Sequence, residues 1–210
     1  MFDKGFRSDT VNDGAKNALA LLKDVKVVEN FYLAGGTGLS LQIGHRISYD
    51  LDFFTQDPLK SSVLLSSINK ILKLHDVTLT DCSLRGFTDD CEISFFLYQY
   101  PLLDEKKIYN NIYLASIKDI ALMKIIAIGS RGVKKYFYDL YFILKNYYSI
   151  TDLFDAFQKK FEENNFNQFH YIKSLTSFEF ADNDDTPINL MSDISWVKVK
   201  DFLIQQSKLL

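Results

Sequence analysis

Two aspartates, Asp50 and Asp52, flank a single leucine. In an extended strand side chains alternate between faces, so both carboxylates leave the same face with Cα atoms roughly 6.5 to 7 Å apart. Both can then reach one divalent cation. Hard oxygen ligands suit Mg²⁺, which keeps several waters and completes its octahedron with substrate phosphates. Upstream, Gly35-Gly36-Thr37 closes the short apolar run Phe31 to Ala34 and opens a helical stretch from Gly38 to Ile43. A turn at a helix N-terminus offers backbone N–H groups, the Thr37 hydroxyl and the positive end of the helix dipole to an anion. The two motifs together describe a metal site facing a phosphate cradle, and a nucleoside triphosphate (NTP) is the donor that fits. Alone, Asp-x-Asp is equally a pair of solvated acids and Gly-Gly a plain turn. Their spacing and the strand–turn–helix–strand order favour the chemical reading. His45 and Arg46, between the motifs, can neutralise phosphate, with an exposed charged loop as the alternative. No Lys-Ser/Thr pair follows the glycines, which argues against a P-loop NTPase.

The elements that must position these residues follow from periodicity. Val11, Ala15, Ala18, Leu19 and Leu22 predict a helix over 9–23, capped from Ser8, Asp9 or Thr10. Tyr49 to Phe54 alternates, with Tyr49, Leu51 and Phe53 on one face and Asp50, Asp52 and Phe54 on the other. A helix is expected over 61–74. Strands are expected over 77–84 and 91–100, joined as a hairpin by the turn RGFTDD, residues 85–90. After Ile112 to Leu114 the pattern is helical. Ser116-x-x-Asp119 reads as a capping box for 117–128, Gly129 and Gly132 as a break before 133–147, and Thr151 as the cap of a helix reaching about Asn164. A helix over 166–175, a loop EFADNDDTPIN and a last helix from Ser192 or Ser195 complete the chain. Phe154, Phe157, Phe161, Phe166 and Phe169 read as core.

The 210 residues, 47% hydrophobic, suffice for a sizeable core, and the balance of 24 basic against 27 acidic residues gives 24 − 27 = −3. A polycation that coats nucleic acid is excluded, so any polyanion site must be local. Five basic residues against Asp119 between Ser116 and Lys135 form such a local patch, or a solvated helix face. Cys82 and Cys91 make neither a disulfide framework nor a zinc pattern, and His75 and His170 lack ligand spacing. With no apolar leader and no run of about 18 apolar residues, the expectation is a cytoplasmic protein without membrane association. Lys124 interrupts the apolar IALMKIIAI, so its charge must snorkel out or meet a partner, either a ligand phosphate or an acid such as Asp50. Asp139 lies in the aromatic YFYDLYF, where a buried cap or a pair with Lys135 is the structural alternative.

The segment GGTGLSLQIGHRISYDLDFF resembles the signature of the AbiEii/AbiGii-type toxin family, a branch of the DNA polymerase β-like nucleotidyltransferases in which Gly-Gly-Thr/Ser precedes Asp-x-Asp. ISFFLYQYPLL, LASIKDIALMKIIAIGSRG and KKYFYDLYFIL resemble later blocks, so the likeness covers roughly residues 10–147. It implies transfer of a nucleoside monophosphate from an NTP to an acceptor, an RNA (tRNA) 3′ end in relatives that pair with an antitoxin protein. Carried over by position, Gly36 and Thr37 would bind triphosphate, Asp50 and Asp52 metal, Lys124 a phosphate, and Asp139 would fill a late acidic position. The superfamily's third carboxylate matches Ser94, with Glu92 two residues earlier as a substitute. Lys135-Tyr136 departs from the basic-acidic pair of some relatives.

The expected fold is thus an α/β (α+β) nucleotidyltransferase core with a mixed sheet over 1–114, then a C-terminal helical bundle over 115–210. The expected catalytic set is Asp50, Asp52, Glu92, Lys124 and Asp139. Gly35, Gly36, Thr37, His45, Arg46 and Lys124 would hold the NTP, and Asp50 and Asp52 the Mg²⁺. A protein hydroxyl as acceptor, or a nucleotide-binding module without catalysis, are the competing readings.

Overall fold

The computed structural model describes residues 5–161 and 166–210, and the chain divides into two compact units, Met1–Ser116 and Ile117–Leu210. In the first, α1 (Asp13–Leu22) starts at Asn12, whose side chain accepts from the Ala15 N–H. The expected start at Ser8 to Thr10 is instead a short 3₁₀ turn. The sheet contains β1 (Tyr32–Leu33), β2 (Leu51–Thr55), β3 (His75–Leu79), β4 (Ser83–Phe87), β5 (Glu92–Leu97), β6 (Lys107–Tyr109) and β7 (Ile112–Leu114). Its order is β3-β4-β5-β2-β1-β7-β6. It is mixed: β2–β5 and β1–β7 are parallel, the other pairs antiparallel.

The strand alternation divides the sheet into two faces. Leu51, Phe53, Ile93 and Phe95 join Ala15, Leu19 and Leu22 of α1 and Leu64 and Ile68 of α3 (Ser61–Ile68) in one apolar cluster, with Phe53 stacked on Phe95 at 4.9 Å. Asp52 and Ser94 fall between these positions and leave on the opposite face. Burying the odd residues therefore fixes where the even ones point.

Some expectations are corrected. The single strand 77–84 is two, because Thr80 and Ser83 exchange a hydroxyl bond at 2.8 Å and Thr80 Oγ1 accepts from the Cys82 N–H, closing a turn. Arg85 to Phe87 are strand, not turn. Gly86 reads as a breaker, yet a Cβ there would press on Leu74 at 3.2 Å; glycine gives that side chain room against the strand. The helix from Ser61 ends at Ile68, short of Leu74.

The second unit has α4 (Ile117–Arg131), α5 (Lys134–Asn146), α6 (Ile150–Phe161), α7 (Gln168–Ser174), α8 (Glu179–Asp182) and α9 (Trp196–Ser207). Gly129 does not break α4. A Cβ there would strike the Tyr171 ring at 2.6 Å, so the glycine admits α7 against α4, and the helix ends at Gly132 with φ +58°. The cap of α6 is Ser149, which accepts from the Asp152 N–H and donates to its carboxylate at 2.6 Å, not Thr151. The predicted extension of α6 to Asn164 lies outside the described residues. The expected loop after Phe178 begins with α8, whose Asp182 accepts from Trp196 Nε1 and Lys200. Phe154, Phe157 and Phe161 are core, but Phe169 is exposed, because Asn167 caps a new helix out of phase with α6.

One interaction in this unit stands out energetically. Lys160 on α6 donates to Asp119 on α4 at 2.6 Å, and both side chains are fully buried. Burial lowers the Lys160 pKa and the Asp119 bond works against that. Such a pair costs desolvation to assemble, but removing one partner leaves a buried charge uncompensated. Asp119→Asn is expected to cost about 3 to 5 kcal/mol in urea unfolding. D119L/K160M should recover most of that loss.

Candidate active site

The site begins where β1 runs into α2 (Gly35–Ile43). The Ala34 N–H donates to the Asp52 carbonyl at 3.0 Å, and Thr37 Oγ1 donates to the Asp50 carbonyl at 2.5 Å. These bonds fasten the first turn of α2 to the Asp-x-Asp segment. Gly35 adopts φ +59°, and a Cβ there would collide with the Asp52 carboxylate. On Gly36 it would collide with the Arg46 guanidinium and meet Ser48 Oγ at 2.8 Å. The glycines are required by close approach: a carboxylate and a guanidinium occupy the space where their side chains would be.

Asp52 lies in β2 and is half-buried, with Leu51, Phe53 and Thr55 buried on the other face. Asp50 precedes the strand by one residue, so the ladder starts at Leu51 instead of Tyr49. His45 and Arg46 are buried, at 4% and 5% exposure, which replaces the exposed-loop alternative. Thr37 is also buried, and its hydroxyl holds the strand.

β5 lies beside β2 in parallel, with Asp52 opposite Ser94. Ser94 Oγ donates to Glu92 Oε1 at 3.2 Å, so residues 92 and 94 share a face. Glu92 is also gripped from β4. Arg85 Nη2 donates to Oε2 at 2.7 Å and Arg85 Nε contacts Oε1, a two-pronged pairing. The Arg85 pKa is raised, first by Glu92 and then by Asp50 and Asp52. Sequence reasoning missed Arg85 because it counted residue 85 as turn.

In the second unit Lys124 on α4 meets Asp139 on α5 at 2.7 Å, with side-chain exposures of 6% and 0%. Lys124 Nζ also stands 4.9 Å from the centre of the Tyr136 ring. The acid that answers Lys124 is therefore Asp139, and Asp139 pairs across two helices instead of with Lys135 within one.

Among the described residues no group of three or more His, Cys, Asp or Glu side chains is placed to hold a metal ion. A cation at Asp50 and Asp52 would draw its other ligands from water and substrate oxygens, the manner in which Mg²⁺ is usually held. No described helix is long and apolar enough to cross a membrane.

Residues 18–83 and 96–205 match the family model described as nucleotidyl transferase AbiEii toxin, type IV toxin–antitoxin system. The chain belongs to this family. An uncharacterized protein of Aquifex aeolicus (strain VF5) is 34% identical over 200 residues, covering 92% of this chain and 94% of that protein. Two solved structures share the fold. MenT4, a nucleotidyltransferase toxin from Mycobacterium tuberculosis H37Rv, has TM-score 0.61 and 13% identity over 94% of this chain and 83% of its own. A putative nucleotidyltransferase from H. pylori has TM-score 0.54 and 18% identity over 93% and 92%. The fold of this AbiEii-family chain is therefore the α+β nucleotidyltransferase fold expected, with a helical C-terminal region. The family match omits residues 84–95, the segment that carries Arg85, Glu92 and Ser94.

Two tests follow from this geometry. Cys91 is buried beside the acids; burial first, then Asp50, pushes its thiol pKa up to about 12, while Cys82 is exposed. At pH 8 a thiol reagent should titrate one cysteine in the native AbiEii-family protein and two after denaturation. Gly35→Ala forces a side chain into left-handed backbone and onto Asp52, at a cost of about 1 to 3 kcal/mol in chemical unfolding. Its nucleotide affinity should fall further than that of a control Gly132→Ala, whose glycine also has positive φ but meets only ordinary contacts.

Proposed function

We propose that the protein transfers a nucleoside monophosphate from an NTP to an acceptor hydroxyl, and that the acceptor is an RNA 3′ end, tRNA foremost. The supporting observation is the seating of the Asp52 carboxylate directly over Gly35 at the start of α2. It makes the helix N-terminus and the Asp-x-Asp pair one site, with anion-binding backbone beside cation-binding carboxylates.

In this reading the α2 turn at Gly35, Gly36 and Thr37 receives the triphosphate through backbone N–H groups and the helix dipole. Arg46 contributes positive charge, and His45 an imidazole, from the adjoining loop. Asp50 and Asp52 would hold Mg²⁺, which when bound supplies charge neutralisation for the triphosphate and polarises the α-phosphoryl group. The acceptor oxygen forms the new bond to the α-phosphorus, the bond from that phosphorus to the bridging β-phosphate oxygen breaks, and pyrophosphate leaves with the electron pair. The hydroxyl proton passes to a base or to water. Lys124, oriented by Asp139, is the cation proposed for a substrate phosphate. Catalysis of this kind is mainly positioning and charge stabilisation. Family membership supports this reading, and a cognate antitoxin protein is the proposed partner.

A second reading has an observation of its own. The residue opposite Asp52 on β5 is a serine, not an acid, and Glu92 is already paired, which suits a nucleotide-binding module without transfer.

The deciding experiment incubates the pure protein with each α-labelled NTP, Mg²⁺ and either total RNA or total cell protein. Label in RNA is expected; label in protein would move the acceptor to a protein hydroxyl, and nucleotide binding without label in either would favour the binding module. Asp50→Asn and Asp52→Asn should each lower transfer about 100-fold or more, a loss of several kcal/mol of transition-state stabilisation. Their thermal midpoints should match or exceed wild type, since each relieves repulsion between neighbouring carboxylates. A destabilised but active variant would assign the aspartates a structural role.

A further inference from the structure

The register of three strands sets one row of side chains across the sheet. Asp52 on β2 is opposite Ser94 on β5, and Ser94 is opposite Arg85 on β4. Leu51 is opposite Ile93, and Asp50 and Glu92 are the residues that precede this pair on their two segments. Adjacent strands run about 4.8 Å apart, and a glutamate at that station can reach the cation held by an aspartate beside it. No shift or bulge is needed. Among the described residues Glu92 nevertheless forms no three-acid group with Asp50 and Asp52, and its carboxylate is engaged elsewhere. Arg85 holds one carboxylate oxygen with Nε and the other with Nη2, and Ser94 Oγ donates a third bond.

We infer that Arg85 is a positioning residue that withholds Glu92 from the proposed metal site at Asp50 and Asp52. The inference rests on the reading of Asp50 and Asp52 as the metal site, and it concerns a segment outside the family match. A fork with both prongs engaged leaves the carboxylate neutralised and its lone pairs directed at β4, so it neither adds negative charge to the site nor presents a free oxygen. The Arg85 side chain is 54% exposed and that of Glu92 23%. A pair so placed contributes little to folding, and the strands stay joined by their backbone ladder without it. Opening the fork therefore frees a third ligand in an intact sheet.

Mn²⁺ binding to the full-length chain, read as loss of the free-ion EPR signal, tests this without reference to catalysis. Wild type, Arg85→Gln, Glu92→Gln and the double variant R85Q/E92Q are titrated at 0.05 and 0.5 M KCl, with thermal midpoints as the check on folding. Arg85→Gln should bind Mn²⁺ about tenfold more tightly than wild type, as a site gaining a charged ligand does. The gain should persist at 0.5 M KCl, where simple charge effects are screened over a few ångströms, and vanish in R85Q/E92Q. Arg85→Lys, which keeps the charge but not the two-pronged geometry, should fall between wild type and Arg85→Gln. Equal affinities for wild type and Arg85→Gln, a gain that high salt removes, or a gain that survives R85Q/E92Q would each overturn the inference. If no variant binds Mn²⁺ even with a non-hydrolysable ATP analogue present, the metal reading itself fails, and this inference with it.

Discussion

The first turn of α2 and the Asp-x-Asp segment are bound to each other through backbone, and the proposed site depends on that attachment. The Ala34 N–H and the Thr37 hydroxyl reach the carbonyls of Asp52 and Asp50, so the helix N-terminus cannot move without the carboxylates. The closeness requires residues without side chains at Gly35 and Gly36. A glycine at φ +59° costs chain entropy in folding, and here it leaves a space that a carboxylate fills at the start of the helix. Anion-binding and cation-binding groups are thus brought together by local hydrogen bonds over a short stretch of chain. This supports a site organised before substrate arrives, which is how positioning contributes to catalysis.

The sheet imposes the next constraint. Because side chains alternate, burying Leu51, Phe53, Ile93 and Phe95 under α1 and α3 commits Asp52 and Ser94 to the other face. The aromatic stack of Phe53 on Phe95 fixes the register of β2 on β5, and a slip by one residue would put the acid in the core. Packing and site geometry are set by the same interaction. A third carboxylate is available on β5, but Arg85 on the neighbouring strand holds it.

In the helical unit, charge is handled by pairing in the interior. Lys124 with Asp139 and Lys160 with Asp119 are both buried, and both join different helices. In the sequence only Lys124 interrupts an apolar run; Lys160 follows Lys159 in a charged segment, and only α6 packing on α4 shows it to be buried. Each ammonium also stands beside an aromatic ring, Lys124 at 4.9 Å from the centre of Tyr136 and Lys160 at 6.0 Å from that of Phe161.

By itself the sequence determined the local features: the Gly-Gly turn opening a helix, the alternation that buries Leu51 and Phe53 on the face away from Asp52, the mixed first half and helical second half. Each depends on residue type and a period of two or 3.6, which neighbouring residues are enough to reveal. Family likeness reached further, because Gly-Gly-Thr followed by Asp-x-Asp is a pattern of types at a spacing. Tertiary structure decided what depends on residues far apart in the chain. Gly86 and Gly129 read as breakers, but they lie inside a strand and a helix, because Leu74 and Tyr171 press on them from other elements. Lys124 lacked a partner until α5 brought Asp139 to it. Arg85 read as part of a turn, and only the β4–β5 pairing set it against Glu92. A sequence records which groups need partners, and strand register and helix packing choose them, because hydrogen bonds and ion pairs act over a few ångströms of space whatever the separation along the chain.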